Sequence, residues 1–185
     1  MRLYERYPDR IEYRGRTYSL DLDFSAVLAS LDVLSESEIS DSIKIETALD
    51  NLVLGRHPAD VDLLGAIFSL LFPEKKSTEE PVIDFQQDAD LILAAFRQAY
   101  GIDLKTIRMH WFEFSALLKG IPSGTRLAEV IDLRQREIPE PTKYNAKERA
   151  ALIAAKAKVA IKKEGGLERG LYGIYKALAA RAKGG

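Results

Sequence analysis

The chain contains no cysteine. Disulfides, thiolate metal sites and a cysteine nucleophile are therefore excluded, and the composition suits a reducing cytosol. Histidine is scarce: His57 and His110 are the only two. Long apolar runs are missing as well. The longest, Val61 to Phe72, is interrupted by Asp62 and is shorter than the roughly 20 residues a membrane-spanning helix needs. Met1 to Gly15 is rich in arginine and acids without an apolar segment, so no signal peptide is expected. No long internal repeat is found.

What is present is enough for a packed domain. Hydrophobic residues make up 46% of 185, which argues against wholesale disorder. Net charge is −1, yet the charge is divided unevenly. Residues 1–142 carry 16 Lys and Arg against 25 Asp and Glu, a balance of −9, whereas residues 143–185 carry 11 against 3, a balance of +8. An acidic body with a basic tail is the strongest compositional feature.

Two helix-length runs joined at Gly101 organise the chain. The first opens with Asp84 and Gln87, an N-cap and an N3 amide able to satisfy each other's backbone donors. Phe85, Ala89, Ile92, Phe96 and Ala99 follow at helical spacing. Gly101 suits the left-handed residue that closes a helix. Asp103 is expected to cap the second run, in which Leu104, Ile107, Trp111, Phe114 and Leu118 share one face. Gly120 and Pro122 end it.

Around this pair the pattern predicts a mainly α protein: a small helical bundle with an N-terminal β-hairpin and a C-terminal helical arm. Ile11, Tyr13, Tyr18 and Leu20 alternate with polar residues about a tight turn at Arg14-Gly15-Arg16. Asp23 or Ser25 starts a first helix with Phe24, Val27, Leu28, Leu31 and Leu34 inward. Ser40 or Asp41 starts a second, through Ile43, Leu49, Leu52 and Val53. His57-Pro58 opens a third, with Leu63, Leu64, Ile67, Phe68 and Leu71 buried. Glu74 to Pro81 reads as an exposed loop. Ser123 or Thr125 starts a shorter helix bearing Leu127, Val130 and Ile131. Arg136 to Tyr144, with Pro139 and Pro141, reads as a linker, which divides the chain into a core domain, 1–138, and a linker with basic arm, 139–185. In the arm, Asn145 and Glu148 form a capping pair before an alanine-rich helix. Beyond Gly165-Gly166, a last amphipathic stripe of Leu167, Leu171, Ile174, Tyr175 and Leu178 is the candidate partner-binding surface.

Catalytic chemistry is thinly represented. His110 and Glu113 share a helix face at a spacing usable for a metal or an acid–base pair. No second histidine supports that, and a structural histidine is the simpler reading. Asp84, Asp88 and Asp90 lack the spacing and glycine of a calcium loop, and the helix dipole accounts for acids at a helix start. Gly165, Gly166, Gly170 and Gly173 lack the lysine and preceding strand of a phosphate loop. Trp111 with Phe112 and Phe114 is read as core rather than a stacking platform. No catalytic residue, cofactor or metal site is assigned. The basic arm has three readings: a solvated helix, a docking helix, or a non-specific contact with nucleic acid or an anionic membrane.

The organising stretch also carries a resemblance. Asp84-Phe85-Gln86-Gln87-Asp88-Ala89-Asp90-Leu91-Ile92, Tyr100-Gly101-Ile102-Asp103-Leu104, Met109-His110-Trp111 and Phe114-Ser115-Ala116-Leu117-Leu118-Lys119-Gly120-Ile121-Pro122 resemble the bacteriophage "gene product fifteen" family of phages and prophages of Gram-positive bacteria. The likeness extends to Ile131-Asp132-Leu133-Arg134 and covers roughly Leu3 to Pro139. Phe112 stands where the motif has a second tryptophan, and Ser115 where a basic residue is more usual.

The resemblance implies a tail-morphogenesis protein of a long-tailed phage, acting in the host bacterial cytoplasm as a tail assembly chaperone. Its expected partner is the tape-measure protein, with the tail tube protein or a companion assembly chaperone as further partners. It implies no enzymatic activity and supplies no catalytic or binding residues. A structural or connector protein of the virion tail, and a nucleic-acid-binding regulator using the basic arm, are the alternatives.

Overall fold

The alternation of Ile11, Tyr13, Tyr18 and Leu20 is realised as an antiparallel hairpin, β1 (Arg10–Tyr13) and β2 (Arg16–Leu20), closed by the pair Tyr13↔Arg16. The computed structural model that contains it describes residues 4–73 and 82–162. Two residues remain for the turn, Arg14 and Gly15, with φ of 48° and 73°. Positive φ at both central positions is the geometry that matches strand twist in a two-residue hairpin. Gly15 adopts it freely. Arg14 does not, and its guanidinium is held on Asp60 at 2.9 Å and over the Tyr13 ring at 4.9 Å.

A third strand was not legible. β3 (Val53–Leu54) pairs antiparallel with β2, Leu20 against Val53. Apolar spacing continues the second helix through Val53, but α2 (Asp41–Leu52) stops one residue earlier, and Val53 is extended. The Leu52 carbonyl instead accepts from Asp21 N–H at 2.9 Å. Two residues are too few to display a strand period.

α1 (Phe24–Ser35) and α2 pack as a helical hairpin joined by residues 36–40. Val27, Leu31, Leu34, Ala48, Leu49 and Leu52 are buried in it, whereas Ile43, expected inward, is more than half exposed. α3 (Val61–Leu71) is buried on most sides, with Leu63, Leu64, Ile67 and Leu71 nearly inaccessible. It begins later than the His57-Pro58 signal suggests. Its N-cap is Asp60, whose carboxylate accepts from Asp62 N–H at 2.8 Å. An aspartate cap offers an acceptor that a proline start cannot.

The organising pair is two helices, but with shorter spans. α4 (Ala89–Tyr100) ends at Gly101 with φ 68°, as expected for a left-handed close. At its start Asp84 caps a turn by accepting from the N–H groups of Gln86 and Gln87. The reciprocal acceptor is the Asp88 carboxylate, which takes Asp84 N–H at 2.9 Å, and not Gln87. Ala89 is exposed, and Ala95 takes the expected place inside. α5 covers only Trp111–Lys119. Asp103 caps no more than a turn, accepting from Lys105 N–H, and Ile107 is partly exposed.

The cause of that shortening is Asp23. Its carboxylate caps α1 through Ser25 N–H at 3.0 Å and also accepts from Met109 N–H at 2.8 Å. Residues 109–111 are drawn into an extended bridge against 22–24, with Phe24 N–H on the Met109 carbonyl and Trp111 N–H on that of Leu22. A helix from 103 would forfeit all of these bonds. Burial pushes the Asp23 carboxyl up. Hydrogen bonds from the Ser25 hydroxyl, Ser25 N–H and Met109 N–H, with the Arg108 charge, outweigh burial and hold it below its ordinary value. A carboxyl depressed in the folded state stabilises fully above the unfolded value of about 4 and loses that contribution as pH falls through the folded value. Unfolding monitored by denaturant titration is therefore expected to become easier as pH drops below about 4. Asp23→Asn should make that acid limb shallower while lowering stability at pH 7. An unchanged acid limb would remove Asp23 from this role.

α6 (Arg126–Gln135) is capped by Thr125, whose hydroxyl accepts from Ala128 N–H at 3.2 Å, and buries Leu127 and Val130. Residues 135–144 are exposed, and α7 (Ala146–Val159) then folds back beside α6. Asn145 does not form the expected pair with Glu148. Its amide bonds Thr142 N–H and the Glu140 carbonyl. At the centre, Phe114 stacks between Phe24 and Phe96 at ring separations of 4.9 and 5.3 Å, joining α1, α4 and α5. Trp111 is 4% exposed beside it. The protein is mainly α with a small antiparallel sheet, as the sequence predicts.

Candidate functional site

Both histidines are held by hydrogen bonds to neighbouring groups. His110 is the N-cap of α5: its Nδ1 accepts from Phe112 N–H at 3.2 Å, and its Nε2–H donates to the Pro8 carbonyl at 3.1 Å. The ring stacks on Tyr7 at 4.7 Å. Glu113 lies exposed in the first turn of the same helix. His57 is a loop residue with Nε2 on Asp50 at 3.0 Å. Among the described residues no group of acids and histidines is arranged to hold a metal ion.

A buried polar cluster lies where α4, α6 and α7 meet. Arg134 stands four residues after Val130, so it follows the inward face of α6. Facing it is Asp88, immediately before α4. Arg134 Nη1 and Nη2 donate to the two Asp88 oxygens at 2.5 and 2.8 Å. The two side chains are 8% and 2% exposed. Arg134 spends its other donors on main chain: Nη1 on the Val82 carbonyl at 2.8 Å and Nε on the Val159 carbonyl at 2.6 Å. One guanidinium thus ties α6 to the start of α4, to the chain ahead of it and to the end of α7. The rigid planar fork of arginine suits this, where a lysine would reach one carboxylate oxygen.

Spacing alone does not reveal this pair. The helix dipole accounts for Asp84, Asp88 and Asp90 at a helix start, yet Asp88 is a buried ion-pair partner. The usable signal was that Asp88 and Arg134 both fall within the stretches that carry the family resemblance. Gln87, expected in the capping box, turns outward to α7: its amide donates to the Ala160 carbonyl at 3.0 Å and accepts from Lys162 N–H at 3.1 Å.

The segment from the end of α6 through α7 exposes apolar side chains among charged ones, including Glu137, Glu140 and Glu148. Tyr144 is 95% exposed, Ile138 and Ile153 are partly so, and Lys143, Lys147 and Lys158 lie exposed along the same segment. The stripe Leu167, Leu171, Ile174, Tyr175 and Leu178, singled out from the sequence as partner-binding, lies outside the described residues. So do Glu74 to Pro81 and the glycines from Gly165 to Gly173.

Among the described residues no helix is long and apolar enough to cross a membrane. Comparison with curated proteins and with solved structures finds no match. The family model for the Bacteriophage Gp15 protein does match, over residues 3–68 and 69–161. The match runs past Pro139, where the resemblance read from the sequence stopped, and takes in the Asp88–Arg134 pair and all of α7. On that extent the chain belongs to the Bacteriophage Gp15 protein family.

Proposed function

We propose that this phage protein is a tail assembly chaperone that binds the tape-measure protein in the host cytoplasm and promotes assembly of the tail tube around it. Membership of the Gp15 family is the observation that carries the reading. The physical logic supports it. A tape measure is a very long helical chain with apolar stripes, which aggregates if left uncovered before tube subunits arrive. A stable helical body with apolar and basic side chains exposed along one segment suits transient cover. Tyr144, Ile138 and Ile153 are exposed in the same stretch of chain as Lys143, Lys147 and Lys158.

Co-expression with the tape-measure protein of the same phage tests it. The expected result is a soluble complex recovered on either partner, with the chaperone absent from purified particles. A tape measure equally soluble alone, with no capture, would rule the reading out. Stoichiometric presence in virions would favour a connector protein instead. The stripe beyond α7 supplies a sharper test. Leu171→Asp combined with Leu178→Asp is expected to leave the melting temperature nearly unchanged and to weaken capture, because an apolar line is what a helix lays into a groove. Normal capture by the double variant would take the stripe out of the interface.

A further inference from the structure

α7 is fastened by its end. None of its residues is buried, and its half-buried side chains include Leu152, Lys156 and Val159. Its bonds to the body gather at its last turn, whereas at its start Arg149 Nε donates to the Pro139 carbonyl of the tether at 3.1 Å and travels with the helix. Lys156 Nζ donates to the carbonyls of Arg134 at 2.7 Å and Arg136 at 2.5 Å, main-chain acceptors at the end of α6 that the helix itself leaves open. Arg134 Nε returns a bond to the Val159 carbonyl, and the Gln87 amide brackets Ala160 and Lys162. The seat itself is rigid, since Arg134 is fixed by its buried pairing with Asp88. The tether to α7 is not built that way: residues 136–144 are exposed and include Pro139 and Pro141.

We propose that this seat is an exchangeable binding site for a helix end: α7 leaves it while the body stays folded, and α7 of a second copy of the chain takes its place. Three observations favour exchange. Undocking exposes little apolar area, because no side chain of α7 is buried, so the hydrophobic term that fixes core helices is small here. The remaining bonds are polar, and each contributes modestly because water replaces it. Every one of them is reproduced identically when a second copy supplies the helix, which is the condition for swapping an element between protomers. Opposite charge assists, for a basic segment approaches a body that carries a balance of −9 over residues 1–142. This inference stands apart from the tape-measure reading and does not need it.

The test uses the full chain and a fluorescent synthetic peptide of residues 143–162. A covered site binds an added ligand in proportion to the fraction that is open. Lys156→Ala removes two bonds from the chain's own α7 and leaves the seat intact. It should raise the open fraction, and so tighten peptide binding, by about tenfold. Adding Gln87→Ala, an exposed change with little bearing on folding, should weaken the peptide by about fivefold. In the wild-type chain the amides of α7 should exchange with solvent faster than those of α3, and light scattering should find a dimer at high concentration that the peptide dissociates. Equal peptide affinity for wild type and Lys156→Ala would overturn the proposal, as would exchange of α7 amides as slow as those of α3. A chain that stays monomeric at every concentration would overturn the second copy as occupant.

Discussion

Trp111→Ala is expected to lower the unfolding free energy by about 3–5 kcal/mol, the range for truncating a buried aromatic. That is a large share of the roughly 5–15 kcal/mol that holds a domain folded. Trp111 is the only tryptophan and is 4% exposed. Its ring meets Phe72 edge-on at 5.4 Å, Phe85 at 6.0 Å and Phe114 at 5.7 Å, so truncation opens a void among three other rings. Its main-chain bond to Leu22 is retained, which confines the loss to packing. Trp111→Phe should cost markedly less. Denaturant unfolding of both variants measures this. The wild-type fluorescence supplies an independent check: a blue-shifted emission that iodide quenches poorly. Red-shifted, readily quenched emission would place the indole in water and defeat the argument.

That burial was legible because Trp111 and Phe114 stand three apart with Leu118 one turn further, a periodicity that survives errors in helix boundaries. Most core positions share this property: Val27, Leu31, Leu49, Leu64, Ile67 and Phe96 were each read from spacing and are buried. What spacing does not carry is competition for backbone donors. Nothing local in Leu104 to His110 reveals that Asp23, more than eighty positions earlier, takes Met109 N–H and holds residues 109–111 extended. The same holds for β3, whose two residues exist as a strand only because β2 lies beside them. The candidate site followed this rule. Arg134 and Asp88 look like ordinary surface charges in sequence, one in a last turn and one in a first, where the helix dipole already accounts for each. Only the tertiary fold brings them to 2.5 Å.

Breaking that pair should be the second costly change. Arg134→Met keeps the length and apolar stem of the side chain and removes the charge. It leaves the Asp88 carboxylate inside with only Asp84 N–H opposite it, and it strips the Val82 and Val159 carbonyls of a donor. Removing one member of a buried ion pair typically costs about 3–5 kcal/mol, because the partner's charge remains uncompensated. The reverse change, Asp88→Asn, should also be costly, since the single amide oxygen can keep Asp84 N–H and Nη1 only by turning its NH2 group toward the Nη2 donor, and the guanidinium charge is left uncompensated. The two changes together should cost less than their sum, with a coupling of about 1–3 kcal/mol, as groups in one hydrogen-bonded network are not independent. Denaturant unfolding of the four proteins completes the cycle. Additive losses would mean that the two charges act separately. A loss under about 1 kcal/mol for Arg134→Met would mean that the pair is as dispensable as a surface bridge. The location of the loss matters as much as its size. Arg134 joins the body to α7, whereas Lys156 touches only the end of α6. Arg134→Met should therefore lower the stability of the whole body, and Lys156→Ala should loosen α7 alone. Hydrogen exchange read separately in α3 and in α7 distinguishes the two, and identical patterns from both variants would refute a rigid seat with a separable latch.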